Sequence, residues 1–151
     1  MAASVTASFT PAFAGFESRV RESFARQGAM ALVGAQLGDV RPGYCAISLL
    51  PRPEVSQQHG YVHAGILATL VDTAGGYAGY TLFPEDSSVL TVEFKLNLLA
   101  PVSQGVCVAV AEIIALGKRS GVARIDISND GRAVCAAQGT VTVVHPTTGS
   151  T

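Results

Sequence analysis

The 151-residue sequence has no tryptophan, three histidines and three cysteines, and charged residues make up only 14% of it. The net charge is −1 and no basic block occurs, so we do not expect a nucleic acid partner. Cys45, Cys107 and Cys135 form neither a pair nor a metal-ligand spacing. We therefore expect buried free thiols in a reducing, cytoplasmic compartment, and no metal or other cofactor.

Hydrophobic residues are plentiful, at 48% of the chain. This exceeds the usual share of a globular domain and favours a surface buried against a second copy. The apolar run 62–82 is long enough to cross a membrane, but it contains His63 and Asp72 and has no flanking Lys or Arg. A buried helix is therefore expected, without membrane contact. Residues 1–15 lack the charged and apolar regions of a signal peptide.

Sequence periodicity predicts an α+β fold. A short amphipathic helix over 16–26 precedes strands over 31–40 and 44–50, and a long apolar helix begins near His63 or Ala64. Four strands follow, predicted over 89–99, 106–115, 123–128 and 133–144. In the first of them the apolar residues alternate with polar ones, which predicts one face on a core. A helix that is apolar all round must be buried, so we expect an antiparallel sheet wrapped around it.

The domain organisation follows from the same pattern, because neither a repeat nor a linker divides the chain. We assign residues 1–29 to a tail and short helix, 30–145 to one domain, and 146–151 to a second tail.

Asp72 is the only carboxylate of the segment 59–82. On a helical wheel its neighbours within about 60° are all small: Gly65, Ala68, Thr69, Gly75, Gly76 and Gly79. Glycines inside a helix each cost roughly 1 kcal/mol relative to alanine, so they need a reason. Two interpretations stay open: close packing of the helix with Asp72 hydrogen-bonded, or space for a substrate beside Asp72.

The start of this helix is a second candidate site. Its first backbone N–H groups are unpaired and lie at the positive end of the helix dipole, which suits a carbonyl oxygen that gains negative charge. His63 at this point has either a structural or a catalytic role. His63 and Asp72 are nine residues apart, or roughly 13–14 Å along a helix, so they cannot serve one reacting carbon. A dimer with composite sites would bring the helix start of one chain next to Asp72 of the other.

The residues Gln57-x-x-Gly60-x-x-His63-Ala64-Gly65, followed by Asp72 nine positions after the histidine, form a motif. It resembles that of the hotdog-fold acyl-CoA thioesterases, specifically the phenylacetate-degradation (PaaI-like) group. The resemblance covers about residues 30–144 and implies a hotdog fold. It also implies a homodimer with composite sites, and coenzyme A only as part of the substrate. A dimer of dimers is expected to follow, although a plain dimer stays open. Ala64 replaces the usual first glycine, and Gln57 is longer than the asparagine common in this group.

The resemblance also implies roles for the site residues. Asp72 would be the general base or nucleophile, and the backbone N–H of Ala64 would polarise the thioester carbonyl. Gln57 would position the water or the carbonyl, His63 would shape the helix entry, and Thr91 would help to orient water. Four residues would border the substrate: Gly60, Gly65, Thr69 and Gly76. Lys118 and Arg119 would bind the coenzyme A phosphates, although an ordinary charged turn is an equal alternative.

The expected activity is hydrolysis of an acyl-CoA thioester to free acid and coenzyme A. Two alternatives remain: a non-catalytic acyl-CoA-binding hotdog module and a hotdog enoyl-CoA hydratase. Hydratases of this fold place the acid about five residues before the histidine, which is the opposite order. A Ser-His-Asp triad is not expected, since no Gly-x-Ser-x-Gly occurs. Aryl-acetyl, hydroxylated aromatic and medium-chain acyl groups are all compatible with the sequence.

Overall fold

The computed structural model describes residues 8–146. Two short helices, α1 (Phe16–Ala25) and α2 (Gly28–Val33), precede a strand pair, β1 (Gln36–Arg41) and β2 (Tyr44–Leu49). A 3-10 turn (Pro53–Val55) leads to the long helix α3 (Ala64–Tyr80). Four strands complete the chain: β3 (Ser88–Leu98), β4 (Cys107–Leu116), β5 (Ser120–Asn129) and β6 (Arg132–Val144). The prediction for residues 1–7 and most of that for 146–151 lie outside the described residues.

The six strands form one antiparallel sheet in the order β1-β2-β4-β5-β6-β3. Helix α3 packs across this sheet and contacts β2 to β6, so its apolar surface is largely buried. The predicted α+β fold, with an antiparallel sheet around a long central helix, is therefore confirmed. The hairpin predicted at Asn129-Asp130-Gly131 is present, and both Asp130 and Gly131 adopt the positive φ that a tight turn requires.

The strand predicted over 31–40 is wrong at its beginning, because α2 occupies its first three residues. This helix ends at Gly34, which adopts the left-handed conformation (φ 75°), and β1 begins only at Gln36. A short apolar run has no periodicity that separates helix from strand. In the structure Met30 and Val33, three residues apart, are the buried side of this helix.

Arg19 fixes the N-terminal helix α1 on the end of α3. Its guanidinium donates to the carbonyl oxygens of Tyr80 and Phe83, the latter at 2.9 Å, and stacks 3.8 Å from the Tyr80 ring centroid. A cation at a helix C-terminus satisfies carbonyls that have no partner inside the helix. Val20 of α1 is fully buried, so the N-terminal segment is part of the packed core.

Strand β3 is a sheet edge with exposed apolar side chains. Leu90, Val92, Phe94 and Leu98 are 38–62% exposed. The prediction that the alternating apolar residues of this strand rest on a core is therefore wrong for these four residues in the single chain. An apolar strand edge left uncovered is a surface for pairing with another chain.

The three cysteines are free and buried, as predicted. Burial raises the pKa of Cys45 to about 12, so its thiol stays neutral at physiological pH.

Candidate active site

His63 closes the start of α3. As the N-cap residue it has an extended backbone (φ −63°, ψ 137°), and its Nδ1 accepts a hydrogen bond from the Gly65 N–H at 2.8 Å. The Ile66 N–H donates to the His63 carbonyl at 2.9 Å. Within residues 8–146, the Ala64 N–H is left without an acceptor. One free amide therefore stands at the positive end of the helix dipole, and the helix starts where the sequence predicted.

The loop before α3 is held by its own backbone. The Gln57 N–H donates to the Tyr61 carbonyl at 2.7 Å, and the Gly60 N–H returns to the Gln57 carbonyl at 2.9 Å. Gly60 has a φ of 81°, where a side chain would be strained. The Gln57 side-chain oxygen accepts from the His59 N–H. The Gln57 amide N–H groups have no acceptor within residues 8–146, so they remain as free donors.

These residues border a cavity of about 520 Å³, which we call the start cavity. Gln57, His63 and Ala64 form its polar part, and Leu98 and Leu99 contribute apolar walls. Free donors beside an apolar space suit a carbonyl group attached to a less polar chain.

A second cavity, of about 390 Å³, lies beside Asp72, and we call it the acid cavity. Asp72 is partly buried, and its Oδ1 is shielded from solvent without a hydrogen-bond partner among the described residues. Gly76 and Thr91 also line this cavity. A buried carboxylate oxygen without a partner is costly, so a donor from water or substrate is needed there.

A bulge in β3 changes which side chains share the side of the sheet that faces α3. Thr91 pairs with Val141 and Glu93 with Thr140, so Val92 is an extra residue in the strand. Thr91 therefore shares the helix-facing side with Phe94, which pairs with Gly139, whereas Leu90 faces the other way. The predicted simple alternation of β3 is wrong at this point, and the first residues of the strand, Thr91 included, line the acid cavity from its edge.

The glycines of α3 divide into two kinds. A Cβ on Gly79 would lie 2.5 Å from Val141 Cγ2, and one on Gly75 would lie 3.3 Å from Ile125 Cδ1. A Cβ on Gly76 would meet nothing within 4 Å. The small face therefore serves both purposes: Gly75 and Gly79 allow close packing on the sheet, and Gly76 leaves space beside Asp72. The hydrogen bond to Asp72 that the packing interpretation expected is absent at Oδ1 among the described residues.

The predicted site residues are split between the two cavities, which share no lining residue. Gln57, His63 and Ala64 meet in the start cavity, whereas Asp72, Gly76 and Thr91 meet in the acid cavity. Five predicted residues line neither cavity: Gly60, Gly65, Thr69, Lys118 and Arg119. Gly60 borders a neighbouring cavity of about 450 Å³. Thr69 is bonded to Gly65, since its hydroxyl donates to the Gly65 carbonyl at 2.8 Å.

Lys118 and Arg119 lie in the exposed turn between β4 and β5 and line neither cavity. The Arg119 carbonyl accepts from the Val143 N–H at 2.8 Å, and Val143 pairs with Val89. The turn is thus at the same end of the sheet as the β3 residues of the acid cavity.

Ser23 and Gln27 of the N-terminal segment line the acid cavity but are not among the predicted site residues. The same holds for Tyr61, Leu98 and Leu99 in the start cavity. Neither group has a spacing that marks a site, because these residues come together only through the fold.

Residues 8–146 contain no group of three or more His, Cys, Asp or Glu side chains that could hold a metal ion. Over the same range, no helix has both the length and the apolar character needed to cross a membrane.

Comparison with known proteins decides the family. The model of the thioesterase superfamily matches residues 59–136, which include the start of α3, Asp72 and Thr91. The chain belongs to the thioesterase superfamily. The predicted enzyme class, a thioester hydrolase, is the class of this family.

Individual proteins that are similar to this chain agree with this family assignment. A thioesterase family protein from Silicibacter pomeroyi is 38% identical, with a TM-score of 0.82 over 87% of this chain and 99% of that one. A candidate esterase of Pasteurella multocida is 37% identical over 79 residues, which is 52% of this chain and 57% of that protein's length. The 1,4-dihydroxy-2-naphthoyl-CoA hydrolase of Listeria monocytogenes is 28% identical over 74% of this chain and 91% of its own.

The fold prediction is confirmed by the same comparisons. The Escherichia coli PaaI protein from the phenylacetic acid degradation operon superimposes with a TM-score of 0.79 over 85% of this chain, at 19% identity. The hotdog fold predicted from the motif is therefore borne out, and the PaaI protein shares that fold.

Proposed function

We propose that this thioesterase-superfamily protein hydrolyses an acyl-CoA thioester to free acid and coenzyme A, in the cytoplasm and without a metal or other cofactor. The observation that carries the proposal is the buried, unpartnered Oδ1 of Asp72 in a cavity that it shares with Gly76 and Thr91. A coenzyme A ester is supported by the Listeria relative, whose substrate is a CoA thioester. Lys118 and Arg119 are the proposed phosphate contacts.

The chemistry needs two groups that the chain supplies. A water held between Asp72 and Thr91 attacks the thioester carbon, and its proton passes to the Asp72 carboxylate. The carbonyl oxygen becomes an oxyanion that the Ala64 N–H and the Gln57 amide stabilise. When the tetrahedral intermediate collapses, the C–S bond breaks and the thiolate takes the proton to give coenzyme A. In the alternative route Asp72 attacks the carbon itself, expels the thiolate and forms a mixed anhydride that water then hydrolyses.

The two groups require two chains. Ala64 and Asp72 are eight residues apart on one helix, which is roughly 12 Å along its axis. We propose a homodimer in which each site takes its oxyanion donors from one chain and Asp72 from the other. The exposed apolar edge of β3 supports this arrangement, because pairing of two such edges would cover it. Pairing of two dimers into a tetramer is a further part of the proposal, which light scattering would test.

Replacement of Asp72 tests the function. Asp72→Asn keeps the size and removes the base, so kcat for coenzyme A release should fall about 10²–10⁴-fold while the protein stays folded. Asp39→Asn is the matched control, because Asp39 is exposed and lines neither cavity. Free thiol is measured over a panel of acyl-CoA esters. Activity of the Asp72 variant within a few-fold of wild type would refute the assignment, and tight binding without thiol release would indicate a binding module.

The role of Asp72 as base or nucleophile has its own readout. Mass spectrometry of enzyme quenched during turnover should show no acyl adduct on Asp72 if water attacks directly. An adduct on the peptide that contains Asp72 would establish the anhydride route.

A further inference from the structure

The acid cavity has a wall that lies outside the family-matched residues. Ser23 of α1 and Gln27, the N-cap residue of α2, line the cavity together with the α3 residues Asp72 and Gly76. Gln27 is partly buried, although the surrounding N-terminal segment is mostly exposed. The N-terminal segment therefore supplies surface to the site as well as to the core.

This wall is held in a fixed position. The Ser23 hydroxyl lies 3.1 Å from the Tyr77 hydroxyl in a hydrogen bond, and Phe24 packs against the Tyr77 ring at 6.2 Å between centroids. One turn earlier on the same face of α1, the Arg19 contacts with the end of α3 hold this helix at a second point. A site surface held by such contacts is preorganised, which is what specificity requires.

Gln27 has donors to spare. Its side-chain oxygen accepts from the Thr73 hydroxyl at 3.5 Å, and its amide N–H groups have no acceptor within residues 8–146. The side chain also makes no capping bond to α2. A glutamine amide that faces a cavity with free N–H groups is suited to bind an oxygen atom of a ligand.

The cavity suits an acyl group rather than the nucleotide of coenzyme A. Its volume of about 390 Å³ is several times that of one water, which takes about 30 Å³ of liquid, so it has room beyond the attacking water. Neither Lys nor Arg is among the described residues that line it, which leaves a diphosphate without counter-ions. Apolar surface from Val89 and the Tyr77 ring alternates with the hydroxyl and amide groups.

We propose that Gln27 is a specificity-determining residue that donates a hydrogen bond to an oxygen substituent of the acyl group. This inference rests on the proposed thioesterase function and assigns the acid cavity to the acyl chain. The favoured substrates are thus acyl groups with a hydroxyl or keto oxygen remote from the thioester. Acyl groups without such an oxygen leave the Gln27 amide buried against apolar atoms, which disfavours them.

Matched substrate pairs test the inference. Coenzyme A release is measured for benzoyl-CoA against 4-hydroxybenzoyl-CoA, and for hexanoyl-CoA against 6-hydroxyhexanoyl-CoA. The wild-type protein should prefer the oxygenated member of at least one pair by about 10-fold or more in kcat/KM, as expected for loss of a buried hydrogen bond. In Gln27→Leu the preference should fall to within about threefold, mainly because the hydroxylated ester loses rate.

Two further variants control this experiment. Gln27→Glu keeps the shape of the side chain but replaces its donors by a carboxylate, so it should also lose the preference. Gln104→Leu changes an exposed glutamine that lines neither cavity and should keep it. A preference that is absent in wild type, or unchanged in folded Gln27→Leu, would overturn the role of Gln27. Absence of coenzyme A release from all four esters would overturn the proposed function, and this role with it.

Discussion

The start of α3 and its middle solve different problems with different parts of the chain. At the start, a tight loop, one histidine cap and a single free amide border the start cavity, whose lining residues lie within 57–67 and 98–102. Around Asp72, in the middle of α3, the acid cavity is assembled from α1, the α2 cap, α3 and a bulged strand. The first cavity draws on two stretches of the chain and the second on four elements. In the proposed mechanism the start cavity supplies the oxyanion donors, and the acid cavity contacts the acyl group.

Removal of the Ala64 amide should have the largest effect of the predictions that follow. Proline is tolerated at the first position of a helix, and the extended backbone of His63 (ψ 137°) suits a residue before proline. Ala64→Pro thus deletes the free N–H without breaking α3, and kcat should fall about 10²–10³-fold. Steady-state kinetics of coenzyme A release measure this. Ala64→Ser retains the amide and should stay within a few-fold of wild type. Full activity in the proline variant would remove the start cavity from the mechanism.

Mixed dimers test whether the Ala64 amide and the Asp72 carboxylate of one site come from different chains. When Asp72→Asn and Ala64→Pro protomers are unfolded together and refolded at equal amounts, half of the dimers should be mixed. Each mixed dimer contains one intact composite site, so about a quarter of wild-type activity should return. Each variant refolded alone is the control. Recovery no greater than the sum of the controls would show that Ala64 and Asp72 act within one chain.

The sequence predicted the site residues of α3 and its entry loop better than those that other elements contribute, for a physical reason. The apolar periodicity, His63 and the small residues near Asp72 lie within one helix and its entry loop, where spacing determines position. The bulge at Val92 depends on how β3 pairs with β6, and it reverses the face of Leu90. Gln27 reaches the cavity only because α1 is fixed on the end of α3, a long-range contact that no local pattern records.

Two glycines of α3 near Asp72, Gly76 and Gly79, should respond differently to replacement by alanine. Gly79→Ala places a Cβ against Val141 and should destabilise the protein by about 1–3 kcal/mol, with catalysis by the folded fraction largely kept. Gly76→Ala meets open space and should stabilise α3 by roughly 1 kcal/mol, while the added methyl group narrows the acid cavity and raises KM for bulky acyl groups. Chemical denaturation and kinetics on the same samples measure both. Equal changes in the two variants would contradict the division of these glycines.

The smallest effect is expected from replacement of His63, the N-cap residue of α3. His63→Ala removes the acceptor of the Gly65 N–H, and loss of an N-cap side chain costs about 1 kcal/mol, or roughly 2–4 °C in Tm for a domain of this size. His63→Asn supplies another capping oxygen and should restore most of the stability. If His63 acts only as a cap, kcat recovers with stability in the asparagine variant, because the Ala64 amide is again held in place. A variant with restored Tm but kcat still reduced tenfold would instead show that the imidazole itself contacts the substrate.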